Sequence, residues 1–88
     1  MKLQGEFVVR QVMDNTVAVP VGQTALRMNC MIMLNDVSKV IWECLEQEND
    51  VQSIVTAVTD AFDVSAKEAE ADILEFCDRL RKLNLLED

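Results

Sequence analysis

The sequence predicts an α+β fold in which a three-stranded antiparallel sheet is followed by three helices. The first third of the chain contains short apolar runs rich in β-branched residues and separated by turn residues, which is typical of strands. From residue 37 onward, apolar residues recur three and four positions apart, which is the period of one helix face. The change of period falls at Asn35 and Asp36, so a strand and a helix are expected to be joined directly there.

Three strands are expected, near residues 7–13, 16–20 and 26–34. Asp14 and Asn15 are predicted to form the first turn, because both residues tolerate the left-handed backbone conformation. Pro20 has no N–H to donate, so it ends the second strand or lies at a sheet edge. A second turn is expected from Val21 to Thr24. Strands joined by such short connections pair as an antiparallel meander.

Three helices are expected, near residues 36–47, 51–62 and 66–83. Each is preceded by a residue that can cap its first turn, namely Asn35, Asp50 and Ser65. Glu68 stands three residues after Ser65, which is the spacing of a capping box. Asn84 follows the last helix at a position where a left-handed residue commonly ends a helix. The predicted order is therefore β-β-β-α-α-α, which suits a helix-turn-helix with a β-wing.

Length and charge restrict the function classes. A chain of 88 residues, half of them hydrophobic, is expected to form one domain over residues 1–88. Residues 35–88 carry five basic and fourteen acidic residues, a net charge of −9, whereas residues 1–34 carry +1, so the chain has a net charge of −8. An acidic surface repels phosphate, which argues against nucleic-acid binding. The sequence also lacks an apolar run of membrane-spanning length and the apolar core of a signal peptide, which predicts a cytoplasmic protein.

The sequence offers no recognisable catalytic or metal-binding set. Histidine is absent, so a Ser or Cys nucleophile would lack its usual activating base. Cys30, Cys44 and Cys77 have no Cys-x-x-Cys spacing and stand in apolar patterns, so we expect all three to be buried in a reducing compartment. Two glycines are too few for a phosphate-binding loop. We therefore predict a non-catalytic binding module without a metal or cofactor.

The segment Met28–Met33 is predicted to form an unprotected sheet edge. It contains none of the Pro, Lys or Gly residues that commonly protect an edge strand against added strands. Its three methionines form a surface that can repack around different apolar side chains. Because side chains alternate along a strand, Ile32 and Leu34 are expected to face the core, whereas Met31 and Met33 should be less buried.

The order of these segments resembles the PqqD-like family, which is named after the pyrroloquinoline quinone (PQQ) synthesis protein D and is also described as the RiPP recognition element. The resemblance covers roughly Phe7 to Leu86. It is most specific in three stretches: residues 34–42 from Leu-Asn to Ile-Trp, the turn at Asp63–Val64, and the closing Leu83–Leu86. The family more often has Gly where this chain has Asn84, and both residues suit the left-handed conformation.

The resemblance implies a winged-helix-like domain that binds the leader of a ribosomally synthesised precursor peptide and presents it to a modifying enzyme, often a radical SAM protein. In this family the leader adds as a strand to the edge of the third strand and lies in a groove against the third helix. Transferred to this sequence, the edge is Arg27–Met33 and the opposite wall is part of the last helix. The peptide-binding residues implied are Arg27, Met28, Asn29, Met31, Met33, Asp72, Phe76 and Arg79.

Two other functions fit the predicted fold. In a winged-helix transcription regulator the last helix would read DNA, but its first turns carry Glu68, Glu70 and Asp72 with only Lys67 as a base. DNA-reading helices favour Arg, Asn and Gln there. In a self-associating structural subunit the open edge would instead form a homodimer. The sequence selects neither a particular precursor peptide nor a particular modifying enzyme or product.

Overall fold

A computed structural model describes residues 1–87. The elements in chain order are β1 (Lys2–Leu3), β2 (Phe7–Val12), β3 (Asn15–Pro20), α1 (Gly22–Arg27), β4 (Ile32–Leu34), α2 (Asp36–Leu45), α3 (Val51–Ala61), α4 (Ala66–Lys82) and β5 (Leu86–Glu87). Strands β2, β3 and β4 form a three-stranded antiparallel sheet in that order, and β1 pairs antiparallel with β5. The predicted α+β fold, a three-stranded antiparallel sheet followed by three helices, is confirmed.

The turn between β2 and β3 lies one residue earlier than predicted. Val12 pairs with Asn15, so the loop consists of Met13 and Asp14. Met13 takes the left-handed conformation with φ of 57° and is 90% exposed. A two-residue loop requires a positive φ at its centre, and here register places a methionine there rather than the expected asparagine.

The predicted third strand, 26–34, is wrong in its first part. Gly22–Arg27, which includes most of the turn predicted at 21–24, forms helix α1, and the strand is confined to Ile32–Leu34. The segment QTALR favours helix because it lacks the Val and Ile typical of strands. Thr24 holds the helix in place, since its buried hydroxyl accepts a hydrogen bond from the Glu6 N–H at 2.7 Å.

The core lies between the three-stranded sheet and the three long helices. Its largest fully buried side chains are Trp42, Ile41, Leu45, Ile54, Ile73 and Leu80. Phe7 of β2 contacts Trp42 edge to face, with ring centroids 5.1 Å apart. This contact fixes the sheet against α2, and burial of such side chains is the main stabilising term for a domain of this size.

Each long helix begins at its predicted capping residue. Asn35 and Ser38 cap each other reciprocally through side chain and backbone, the Asp50 carboxylate accepts from the Ser53 N–H at 2.8 Å, and Ser65 Oγ accepts from the N–H three residues later. Helices α2, α3 and α4 end one or two residues before the expected bounds. The end of α2 is capped by Asn49, whose side-chain amide donates to the Cys44 carbonyl.

The C-terminal end of α4 is stabilised by a Schellman motif. Asn84 has φ of 59°, its N–H donates to the Arg81 carbonyl at 3.0 Å, and the Leu85 N–H donates to the Leu80 carbonyl at 2.9 Å. The Leu85 carbonyl then accepts from the Gln4 N–H at 2.8 Å, where β1 and β5 meet. The pairing of β1 with β5 is absent from the predicted fold, because two-residue strands leave no periodic signal in a sequence.

Two burial predictions also differ from the structure. Cys30 is exposed rather than buried, because the chain around it is a surface connection between α1 and β4. Cys44 is only half-buried, whereas Cys77 is buried as predicted. No helix within residues 1–87 combines the length and hydrophobicity that a membrane span requires.

Candidate functional site

Strand β4 lies at one edge of the three-stranded sheet, and within residues 1–87 it pairs only with β3. Its side chains alternate as predicted. Ile32 and Leu34 are buried in the core at 6% and 5% exposure, whereas Met31 and Met33 are 59% and 62% exposed. The burial predictions for these four residues are confirmed, so the edge presents apolar side chains to solvent.

The register of the sheet identifies the backbone groups that β4 leaves unpaired. The two-residue loop closes on the pair of Val12 with Asn15, which is hydrogen-bonded in such a hairpin. Hydrogen-bonded and non-hydrogen-bonded pairs alternate along an antiparallel ladder, so Val17 bonds to β2 rather than to β4. Its partner in β4 is Met33. The N–H and C=O of Met33 therefore face the open edge.

Helix α4 runs beside this edge and forms a groove with it. Asp72, Phe76, Arg79 and Leu83 follow one another at spacings of four, three and four residues, so they lie along one face of the helix. That face borders two adjoining hollows, of about 210 Å³ and about 330 Å³. We call the pair of hollows the α4 groove. The first volume is below, and the second only just above, the lower limit of about 300 Å³ for small-molecule pockets, which suits single side chains better than a compact ligand.

The two hollows differ in the side chains that line them. The first is bordered by α2 and the polar part of α4, through Asn35, Val37, Ser38, Ile41, Asp72 and Glu75. The second is bordered by the β4 edge and the apolar end of α4, through Cys30, Met31, Ile32, Leu80 and Leu83. Met33, Phe76 and Arg79 line both. The groove is thus acidic at one end and apolar at the other.

Phe76 and Arg79 separate the two hollows. Phe76 is only 4% exposed, so it belongs to the core and forms the floor of the groove. The Arg79 guanidinium lies over the Phe76 ring, 5.9 Å from its centroid, and a cation–π attraction favours that position. The arrangement holds an exposed cation at the centre of the groove.

Five of the eight predicted site residues come together in the groove, namely Met31, Met33, Asp72, Phe76 and Arg79. Arg27 and Met28 instead line a neighbouring hollow of about 200 Å³, which shares Leu83 with the groove. Asn29 lies in the exposed connection to β4. These three residues lie outside the groove because α1 includes Arg27 and the strand begins only at Ile32. The strand edge is therefore shorter than the predicted Arg27–Met33.

Several groove residues were missed from the sequence, notably Cys30, Glu75 and Leu83. Leu83 follows Arg79 by four residues, so helical spacing alone could have placed it on the groove face. Cys30 could be found only from the structure, because its position depends on where β4 begins. Burial and the neighbouring Glu43 raise the pKa of the Cys44 thiol, but Cys44 is not among the groove residues.

The groove has the features of a binding surface. It combines unpaired backbone groups, exposed thioethers, an apolar floor and charges of both signs. Within residues 1–87 no group of three His, Cys, Asp or Glu residues is placed to hold a metal ion. An open sheet edge beside an apolar groove defines domains that take up an extended peptide as an additional strand.

The comparisons with known proteins agree with this class. The sequence pattern of the family described as coenzyme PQQ synthesis protein D (PqqD) matches residues 10–86, so the chain belongs to the PqqD family. A similar solved structure is TbiB1 in complex with the TbiA(beta) leader peptide. It has a TM-score of 0.73 and 25% identity, over 99% of this chain and 95% of the other. None of the curated proteins compared matches the chain significantly.

Proposed function

We propose that this protein is a non-catalytic module that binds the leader of a ribosomally synthesised precursor peptide by strand addition and presents it to a modifying enzyme, a radical SAM protein. The observation that carries the proposal is the open edge of β4 beside the α4 groove. TbiB1, which shares the fold at 25% identity, was solved with a leader peptide. The absence of histidine and the lack of a metal-binding set within residues 1–87 support a binding role, with the chemistry in the partner enzyme. The free cysteines Cys30 and Cys44 suit a reducing compartment such as the cytoplasm.

The short edge makes side chains important for affinity. Along β4 and the residue before it, Met33 and Met31 direct their N–H and C=O groups toward an added strand. These two residues allow about four hydrogen bonds, worth about 1 kcal/mol net each. A micromolar complex needs about 8 kcal/mol. Burial of two apolar leader side chains, at roughly 1.5–3 kcal/mol each, would supply the remainder before ordering costs. The groove, rather than backbone pairing alone, should therefore decide which peptides bind.

The proposed contact residues divide into two groups. Met31, Met33, Asp72, Phe76 and Arg79 line the groove and would touch the leader segment that pairs with β4. Arg27, Met28 and Asn29 lie toward the Leu83 end and would contact a leader that continues beyond it. Contacts of the second group would add affinity only for longer peptides.

The test is binding of a synthetic leader from the short open reading frame nearest to this gene. We expect the amide resonances of Met31–Met33 and of residues 72–83 to shift in NMR spectra of the labelled protein. The peptide should also protect Cys30, the exposed cysteine of the groove, from alkylation by iodoacetamide. Binding that shifts residues 7–12 instead, without protection of Cys30, would contradict the proposed site.

A DNA-binding role is less well supported. Glu68, Glu70 and Asp72 are exposed on the first turns of α4, which in a DNA-reading helix would enter the negatively charged major groove. We expect no shift of duplex DNA in a low-salt gel assay. Tight binding in that assay would favour the transcription-regulator function over the proposed one.

A further inference from the structure

We infer that the α4 groove selects peptides that carry a basic and an apolar side chain two residues apart. The basic side chain would occupy the acidic first hollow and the apolar one the second hollow. The inference rests on the proposed function and names the peptide class that this site would take. It concerns the particular residues of this chain, since Asp72 and Glu75 border one hollow while Leu80 and Leu83 border the other.

The spacing follows from the geometry of α4. The residues of α4 and its C-cap that line the first hollow are 72, 75, 76 and 79, and those that line the second are 76, 79, 80 and 83. The second set lies about one turn further along the axis, which corresponds to roughly 6 Å. Alternate residues of an extended peptide are separated by about 6.6 Å and point to the same side. Two groove-facing side chains at positions i and i+2 therefore match the two hollows.

The preference for a basic residue follows from the charges and the floor of the first hollow. The Asp72 and Glu75 side chains are exposed, so they remain available to a ligand. Val37 and Ile41 supply an apolar surface for the methylene stem of a Lys or Arg. The oxygens of Asn35 and Ser38 are already engaged in the cap of α2, which leaves the two carboxylates as the main acceptors. Among residues 1–87, these carboxylates outnumber the one cation that borders this hollow, Arg79.

Arg79 makes the pattern directional. Its guanidinium borders both hollows, but only in the first do the carboxylates of Asp72 and Glu75 offset its charge. In the second hollow it would repel a basic side chain. The second hollow is otherwise lined by apolar groups, among them Ile32, Leu80 and Leu83, and suits a Leu, Ile, Met or Phe side chain. A peptide with the same two residues exchanged would meet unfavourable contacts at both positions.

The test is selection from a random nonapeptide display library on the immobilised full-length protein. We expect enrichment of Lys or Arg two residues from a large apolar residue. The variant Asp72→Lys with Glu75→Lys should lose the basic preference and bind the selected peptides at least tenfold more weakly. Glu70→Lys with Asp78→Lys is the matched control, because it changes the net charge equally on exposed residues that point away from the groove. It should weaken binding less than threefold.

Each outcome separates the inference from the proposed function. Selected peptides that protect Cys30 from iodoacetamide but lack the basic residue would overturn the inference and leave leader binding intact. The same holds if both double variants weaken binding equally, because a general charge effect would then explain the loss. Selection of no peptide at all would overturn both. Circular dichroism of each variant establishes that the fold is retained.

Discussion

The three-stranded sheet has two outer edges, and they differ in what lies beside them. The edge of β2 is longer, with six residues against three in β4. By the alternation of the ladder, Phe7, Val9 and Gln11 direct their backbone groups outward from β2. Gln11 and its neighbour Arg10 are exposed and polar. Strand β4 is shorter, but exposed methionines and the α4 groove lie next to it.

Under the proposed function, this difference means that unpaired backbone groups do not by themselves make a binding edge. Every edge strand offers N–H and C=O groups, and each added hydrogen bond contributes only about 1 kcal/mol net. A groove beside the edge adds burial of the guest's side chains, which contributes more free energy and also discriminates between sequences. The edge of β4, although shorter than that of β2, is therefore expected to bind a peptide more tightly.

The largest effect is expected from proline at the open position of β4. Met33→Pro removes the outward N–H of the edge without removing a bond to β3, and should weaken leader binding about tenfold to hundredfold. Gln11→Pro does the same at the edge of β2 and should leave binding unchanged. Fluorescence anisotropy with a labelled leader measures both. Equal losses in the two variants would remove the distinction between the edges.

A smaller effect is expected from trimming the exposed methionines. Met31→Ala with Met33→Ala keeps the backbone edge but reduces apolar contact with the guest, so affinity should fall about threefold to tenfold. Val12→Ala, at a comparably exposed apolar residue of β2, is the control and should have no effect. If titration calorimetry finds full affinity in the double variant, the side chains of β4 do not contribute to recognition.

Substitution of Asp50, which caps α3 at a distance from both sheet edges, should alter the stability of the protein without changing its affinity for the leader. The Ser53 N–H bonded to the Asp50 carboxylate lowers the pKa of that group below its ordinary value of 3.8. The pKa of Asp50 is therefore lower in the folded protein than in the unfolded one. The stabilisation is complete at a pH above the unfolded-state pKa and is lost as the pH falls through the folded-state pKa.

Asp50→Asn keeps a side-chain cap that does not titrate. Urea unfolding between about pH 4 and about pH 2 should therefore show a weaker pH dependence in the variant than in the wild type. Leader affinity at neutral pH should be the same in both proteins. A parallel pH dependence of the two proteins would mean that the cap does not carry the linkage.

No self-association is expected through either edge. Pairing of β4 with its copy allows about four hydrogen bonds and pairing of β2 about six, and both fall short of the roughly 8 kcal/mol of a micromolar dimer. Sedimentation at micromolar concentration should give the mass of the 9.9 kDa monomer. A dimer lost in Met33→Pro but kept in Gln11→Pro would instead show that β4 is used for self-pairing.

Local signals predicted most of the fold. The caps at Asn35, Asp50 and Ser65 were recognisable because a helix start depends on a few neighbouring residues. The apolar periods of the helices and the inward position of Ile32 and Leu34 followed from spacing in the same way. The segment 22–31 was mispredicted although its lack of Val and Ile near residues 23–27 is a local sign of helix. The contact that holds α1 in place, from the Glu6 N–H to the Thr24 hydroxyl, joins residues 18 positions apart and leaves no local trace.

By itself, the amino-acid sequence determined the type and order of the long elements, the acidic character of the chain and the apolar nature of β4. Each of these depends on residues close together in the chain. The tertiary structure alone decided how short the β4 edge is, that Arg27 and Met28 lie outside the groove, and that Cys30 lies within it. The groove joins residues about fifty positions apart, and such proximity depends on how the whole chain packs rather than on any local pattern.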